Sequence, residues 1–312
     1  MDFERWKLFL KVAEMGSLSK VAVVMKRRQP VISRHINALE IECGCTLFYR
    51  TGRGVALTEV GEAILPRVRT MVRESEQIMQ DIKGQAGVPV GAVSVGLLPS
   101  VRIAADFLGL TLDKFPQVTL HLTEAAGGQL AEQVATGRID LALVLREPGA
   151  LGLTDEALLM LPLCVVGPPG DPVTSQREVS LAQISGLPLI QAKPPNALRM
   201  HIEQSARRAG VPLTYGAQID ALATQKQVIA GGMGYSITTR MAVREEVAQG
   251  LLSAADITDP RMDLMLVLVR SNQRPATLAI RKIARLLAEV VRKLPETYAD
   301  DVSPAFLPLT LQ

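Results

Sequence analysis

Apolar positions in the first sixty residues recur at helical spacing in three short blocks. Trp6, Phe9, Val12 and Ala13 form one stripe, and Gly16 is placed to end that helix. Ser17 then stands where a hydroxyl caps the start of a second helix. The apolar positions of this second helix are Leu18, Val21, Ala22 and Met25, and it runs out in the basic turn Lys26-Arg27-Arg28. Pro30 opens a third helix, because the first turn has no use for the missing N–H. Within it Ile32, Ile36 and Leu39 lie on one face and pack inward, which leaves Pro30, Ser33, Arg34 and Asn37 on the outer face. Two short extended runs follow between Tyr49 and Leu57 around Gly52-Arg53-Gly54, predicting a hairpin that carries Arg50 and Arg53.

From Glu59 to Lys83 the spacing changes. Ile64, Val68, Met71, Ser75, Ile78 and Ile82 follow one another at steps of four, three, four, three and four. A sustained 3.5-residue repeat predicts a helix that pairs with another copy of itself, a rod of roughly 35 Å at 1.5 Å per residue. Ser75, the polar seam position, is available to fix register. The alternative is a helix packed on its own domain. Gly84 and Gly87-Val88-Pro89 then predict the helix end and a hinge.

Beyond the hinge, strand and helix patterns alternate. Residues 92–97 read as a strand, 100–115 as a helix, 118–124 as a strand, 128–137 as a helix and 139–145 as an apolar buried strand. A second set begins near Leu163 and includes 188–191, 198–209, 217–219, 221–230 and 234–238. Parallel sheets covered by helices are the natural packing of such a series, an α/β module. A last helix is expected at about 275–294, and 295–312 reads as a loose tail.

Composition adds constraints. The 312 residues are 48% hydrophobic and 21% charged, enough for more than one packed core. Aromatic content of 4% argues against a protein built on stacking platforms. The first residues are charged and lack a signal-peptide pattern, so a cytoplasmic location is expected. The uncharged stretch 84–101 is interrupted by Gly87, Pro89, Gly91 and Pro99, and reads as a hinge entering a strand rather than a membrane span. Cys43, Cys45 and Cys164 make no disulfide framework, and neither they nor His35, His121 and His201 show metal-ligand spacing, so no metal or cofactor is expected.

Charge is unevenly placed. Residues 1–90 carry 14 Lys and Arg against 10 Asp and Glu, and the remainder carries 20 against 21. Between Lys20 and Arg53 seven basic residues face two acidic ones, which suits contact with phosphates. Arg34 and Asn37 have the donor and acceptor geometry for guanine and adenine edges, while Ser33 suits a phosphate. Two short helices joined by a tight turn, the second outward-polar, make a helix-turn-helix, and the hairpin with Arg50 and Arg53 makes a wing. The bland alternatives are a solvated charged face and an ordinary exposed hairpin.

Gly16-Ser17-Leu18, Gln29-Pro30-Val31-Ile32-Ser33-Arg34, Leu39-Glu40, Leu47-Phe48, Arg50-Thr51 and Leu57-Thr58-Glu59-Val60-Gly61 occur in order. Together they resemble the signature of LysR-type transcriptional regulators. One departure is Arg28, where the family usually has Ser or Thr as the helix cap; losing that cap costs roughly 1 kcal/mol, and Arg28 is available for a phosphate contact instead.

The resemblance implies a winged helix-turn-helix at 1–58, a dimerising linker helix at 59–86, a hinge at 87–91 and a two-lobed, periplasmic-binding-protein-like α/β effector domain at 92–294. Lobe I would hold 92–162 and 270–294, and lobe II 163–269, with crossovers near 161–167 and 262–270. It also implies antiparallel pairing of linkers through Ile64, Val68, Met71, Ile78 and Ile82, a dimer of dimers, promoter DNA as partner and contact with RNA polymerase. On this reading Arg28, Gln29, Pro30, Ser33, Arg34, Asn37, Arg50 and Arg53 meet DNA.

In such a fold a small organic acid or other metabolite binds between the lobes, against strand ends and helix N-termini. Leu98, Pro99, Ser100 and Val101 follow the first strand, and Ser100 reads equally as effector contact and as helix cap. By matching position Gly127, Gly128 and Gln129 line one rim, and Pro195, Asn196 and Ala197 the other. Arg102 and Arg146 are candidate counter-charges or plain surface arginines.

Gly231-Gly232-Met233-Gly234 lacks the endings of phosphate-binding loops and reads as a close-packing turn, and Ser17-Leu18-Ser19-Lys20 has no partner motif for acyl transfer. Within the family, Gly91-Ala92-Val93-Ser94-Val95-Gly96-Leu97 and Glu124-Ala125-Ala126-Gly127-Gly128 look most like the nitrogen assimilation control branch, with regulators of aromatic-acid catabolism as the alternative. Two other functions compete with an effector-responsive regulator: a ligand-independent regulator whose α/β module serves only assembly, and an enzyme on a binding-protein fold. An enzyme needs convergent titratable groups, whereas the candidate cleft offers Ser, Gly, Pro and Asn.

Overall fold

The computed structural model describes residues 2–52, 54–85, 88–153, 155–273, 276–297 and 303–304, with backbone only at 73, 76, 77, 79–85, 296, 297, 303 and 304. The chain divides into two compact units, Met1–Ala86 and Gly87–Gln312.

In the first unit α1 (Phe3–Met15), α2 (Leu18–Val24) and α3 (Gln29–Cys43) precede a hairpin of β1 (Phe48–Thr51) and β2 (Gly54–Leu57), followed by the long α4 (Glu59–Gln85). Local chemistry sets each boundary. Gly16, left-handed at φ 59°, ends α1 by donating its N–H to the Val12 carbonyl at 2.9 Å, and Ser17 Oγ accepts from the Lys20 N–H at 3.3 Å to start α2. Arg28 is the cap residue of α3 and its side chain makes no capping bond. Phe9, Val12, Val21, Ile32, Leu39 and Leu47 are fully buried together, each large side chain contributing about 2 kcal/mol by burial.

The hairpin is tied to this core at its base. Val55 donates its N–H to the Gly16 carbonyl at 2.9 Å. A Cβ on Gly54 would stand 2.2 Å from that same carbonyl oxygen, so the close approach requires glycine.

The linker helix runs from Glu59 through Gly84 to Gln85. Its first half is not a free seam: Val68 and Val72 are buried in the domain's own core, with Ile64, Leu65 and Met71 packed partly against it. Val68 is therefore corrected from a dimer contact to a core residue. The heptad stripe and the core-facing stripe share one face where α4 leaves α1, and local burial takes Val68. Farther along, Ile78 is 60% exposed, and the side chain of Ile82 lies outside the described residues.

The second unit holds β3 (Gly91–Leu97), α5 (Ala104–Lys114), β4 (Val118–Glu124), α6 (Gly127–Ala135), β5 (Leu141–Arg146) and β6 (Asp155–Gly167). Then come β7 (Glu178–Ser180), β8 (Pro188–Gln191), α7 (Ala197–Ala209), β9 (Thr214–Gln218), α8 (Leu222–Ala230) and β10 (Ser236–Thr239). The unit closes with α9 (Arg240–Ala248), β11 (Ser253–Asp259), β12 (Asp263–Arg270) and α10 (Leu278–Arg292).

The strands run in the order β4-β3-β5-β12-β6-β11-β7, with β10 also on β6 and β8-β9 as a separate parallel pair. The sheet is mixed rather than purely parallel, because β12 pairs antiparallel with both β5 and β6. β6 joins two lobes: up to Pro162 it pairs with β12, and from Leu163 it pairs with β10 and β11. The Asp263↔Pro162 pair marks where both crossovers pass.

Lobe I buries Val93, Leu141, Leu143, Leu159 and Leu266 under α10, whose Ile283, Leu287 and Val291 close the core. Lobe II has its own core around Leu163, Leu189, Ile202 and Ile257. Each lobe is thus an independently packed body, the arrangement that allows a crevice between them.

The first helix of this unit begins at Ala104, not at residue 100. Leu98, Val101 and Ile103 turn their side chains into the core, and the Val101 and Ile103 N–H groups close tight turns onto Leu98 and Val101. Ser100 therefore caps nothing, and of its two readings only the contact with an effector stays open.

Candidate nucleic-acid interface and effector cleft

On the outer face of α3, Gln29, Pro30, Ser33, Arg34 and Asn37 line one wall of a concave groove together with Ala38 and Ile41. Arg50 from β1 lines it too. Six of the expected DNA contacts therefore share one surface, since the inward Ile32, Ile36 and Leu39 orient the helix and the β1–β2 register, Thr51↔Gly54 at its end, orients the wing. Arg28 is exposed at the helix start, and Arg53 lies outside the described residues.

The groove is held at its base by Glu40. Its Oε1 accepts from the Leu47 N–H at 2.7 Å and the Phe48 N–H at 3.0 Å, fixing α3 against the start of the wing. Sequence reasoning missed Glu40, counting it as one of two acidic residues in a basic segment. It also missed Ala38 and Ile41, of which Ile41 is 80% exposed.

In the second unit the C-terminal ends of β3, β4 and β8 carry the loops that meet between lobes. A Cβ on Gly127 would stand 3.6 Å from Leu98 Cδ2, and one on Gly128 would stand 3.6 Å from the Pro195 carbonyl oxygen. Leu98, Gly127, Gly128 and Pro195 are thus brought together across the lobes. Leu98 and Val101 are buried, Pro99 is exposed and Ser100 is half-buried. Gln129 and Ala197 are exposed beside them. Asn196 caps α7, its Oδ1 accepting from the Arg199 N–H at 3.1 Å.

Both candidate counter-charges have partners. Arg102 Nη1 lies 3.0 Å from Glu245 Oε2 on α9, a pair that spans the lobes. Arg146 Nε lies 3.4 Å from Asp155 Oδ2 inside lobe I, where the Asp155 side chain is buried. Glu245 was missed because a helix-surface glutamate carries no sign of a distant partner.

Near the crossovers His201 is half-buried, with Nδ1 3.7 Å from Glu147 Oε1. Burial holds its imidazole below the ordinary range, against the opposing pull of Glu147 and Asp263. The three cysteines are free thiols, and burial together with Cys45, Glu42 and Glu40 pushes the Cys43 thiol up. Among the described residues no group of three or more His, Cys, Asp or Glu is placed to hold a metal ion, and no helix is long and apolar enough to cross a membrane.

A winged helix-turn-helix with a basic reading face, joined to a two-lobed α/β module, defines a DNA-binding transcription regulator with an effector-binding domain. Comparison with known proteins agrees. Residues 3–62 match the family described as bacterial regulatory helix-turn-helix protein, lysR family, and residues 86–292 match the LysR substrate binding domain. The chain belongs to the LysR family.

Among its relatives, the nitrogen assimilation regulatory protein nac of Escherichia coli is 28% identical over 91% of this chain and 94% of that protein. The RuBisCO operon transcriptional regulator of Allochromatium vinosum is 25% identical over 94% and 97%. Full-length CbnR, solved in complex with its target DNA, shares the fold at a TM-score of 0.66 with 20% identity, over 94% of this chain and 99% of that one. The Synechocystis CcmR regulatory domain in complex with 2-PG shares it at 0.59 with 18% identity, over 65% and 99%.

Proposed function

We propose that the groove formed by the outer face of α3 and strand β1 reads promoter sequence. The single observation that carries this is the convergence of Gln29, Pro30, Ser33, Arg34, Asn37 and Arg50 on one concave surface. Arg34 and Asn37 read base edges in the major groove, Arg28, Ser33 and Arg50 hold phosphates, and Arg53 extends the wing contact. Residues 1–58 act as the DNA-binding domain and 59–86 as a linker that pairs two copies through the exposed part of α4, around Ile78. Pairing of the effector domains gives a dimer of dimers, and RNA polymerase is the further partner.

The crevice between the lobes takes a small organic acid or related metabolite against Leu98, Pro99, Ser100, Val101, Gly127, Gly128, Gln129, Pro195, Asn196 and Ala197. The protein acts by binding, not by catalysis. The CcmR regulatory domain, solved with 2-PG, supports a small-molecule occupant.

The test is titration of the full chain on a duplex selected from a random-sequence pool and on unrelated DNA. Arg34→Ala weakens the selected duplex by roughly 1–3 kcal/mol and leaves unrelated DNA unchanged. Equal loss on both reduces Arg34 to a phosphate contact.

A further inference from the structure

We infer that Arg102 is the anion-reading residue of the cleft and that Glu245 is its internal competitor, so that an acidic effector binds by displacing the Glu245 carboxylate. The inference rests on the cleft reading above and adds the ligand class and the way binding is coupled to the lobes.

Arg102 belongs to the loop that leaves β3, two residues beyond Ser100. Its Nη1 meets Glu245 Oε2 at 3.0 Å, with the two side chains 59% and 50% exposed. Glu245 sits on α9, and the same helix sends Met241 into the core of lobe I. The ion pair is therefore part of the seam along which lobe II rests on lobe I. An exposed pair of this kind contributes little stability. A guanidinium donates to any carboxylate with matching geometry, two oxygens at a time. The bond to Glu245 is thus readily exchanged for one to a ligand.

The opposite rim repeats the arrangement. Lys193 Nζ lies 3.4 Å from Asp220 Oδ2, and the Lys193 N–H donates to Asp220 Oδ1 at 3.1 Å, again with both side chains exposed. Between the rims α6 starts at Gly127 with Ala126 as its cap residue, a side chain that makes no capping bond. The positive end of that helix faces the Pro195 side of lobe II, where a Cβ on Gly128 would stand 3.6 Å from the Pro195 carbonyl oxygen. The loops that flank the cleft therefore carry two cations, each neutralised by an exposed carboxylate of the protein itself, and a helix start without a side-chain cap. A neutral ligand gains hydrogen bonds but no charge pairing from this set, while an anion replaces the carboxylates already there. Replacing Glu245 also breaks the side-chain link between α9 and the β3 loop, which couples occupancy to the contact between lobes.

The experiment is calorimetric titration of the full chain with acetate, succinate, citrate, benzoate and 2-PG, and with acetamide, succinamide and benzamide as neutral counterparts. Wild type, Glu245→Gln and Arg102→Met are compared, with Arg102→Lys as the variant that keeps the charge. The expected result is binding of at least one of the acids and none of the amides, tightened about threefold or more by Glu245→Gln, weakened about tenfold or more by Arg102→Met and partly restored by Arg102→Lys. Equal affinity for an acid in wild type, Glu245→Gln and Arg102→Met overturns the inference, as does saturable binding of an amide. Either result leaves the effector cleft itself standing. No binding of any acid to any variant overturns the anion class as well.

Discussion

The carboxylate of Glu40 accepts the backbone N–H of Leu47 at 2.7 Å, joining the recognition helix to the strand that carries Arg50. The same oxygen accepts from Phe48, so one side chain sets the angle between α3 and β1, the two walls of the groove. Glu40→Ala leaves two backbone donors without their acceptor and costs about 2–3 kcal/mol, whereas Glu40→Gln keeps an acceptor oxygen and costs less. Urea unfolding followed through Trp6, the single tryptophan and a core residue of this unit, measures both. Equal stability of Glu40→Ala and wild type would remove Glu40 from the account.

Two substitutions on the linker helix separate folding from pairing. Val68 is 6% exposed in its own domain and Ile78 is 60% exposed. Val68→Lys buries a charge and unfolds the N-terminal unit, whereas Ile78→Lys leaves the unit folded and breaks the pairing of copies. Sedimentation with far-ultraviolet circular dichroism distinguishes them. A folded Ile78→Lys protein of unchanged mass places the pairing surface elsewhere.

His201 gives lobe II a pH dependence. Its folded pKa lies below the ordinary value because burial disfavours the charged ring. Above about pH 6.5, the ordinary value, folded and unfolded chains both hold it neutral. As pH falls from there through the folded pKa, the unfolded chain takes the proton first and stability declines. His201→Gln removes this contribution, so its denaturation midpoint falls less than that of wild type between pH 7.5 and 5. Parallel curves would show that His201 does not titrate in this way.

Tyr235 acts at the other end of the scale. Its hydroxyl donates to Asp171 Oδ2 at 2.7 Å, and this bond, burial and the Asp171 charge push its pKa up to about 12. A raised folded pKa means stability that is complete below about pH 10 and is lost as pH rises through the folded value. Tyr235→Phe loses about 1–2 kcal/mol at neutral pH and shows a smaller alkaline decline. Thermal scans from pH 8 to 11 check both, and an unchanged neutral-pH midpoint would count against the bond.

The parts of this fold legible in sequence are those fixed locally. Gly16 and Pro30 set helix ends through their own backbones and Ser17 through its own hydroxyl, and the Ile32, Ile36 and Leu39 stripe orients α3 by itself. What escaped depends on partners distant in the chain. The helix after β3 starts four residues late because Leu98, Val101 and Ile103 are drawn into a core assembled from β5, β6, β12 and α10. Val68 lies on a stripe that fits either a second copy or α1, and spacing cannot choose between them. Arg102 was visible as a cation beside the cleft loop, but Glu245, Met241 and the lobe contact that gives it meaning were not.

Binding-site selection from a random duplex pool decides whether the outer face of α3 reads sequence, using the full-length wild type beside a variant carrying Arg34→Ala and Asn37→Ala. The groove reading predicts that wild type enriches one motif with dyad symmetry, while the variant enriches none and keeps the salt-dependent affinity for unrelated DNA that Arg28 and Arg50 supply. Enrichment of the same motif by both proteins would contradict the assignment of α3's outer face as the surface that reads sequence.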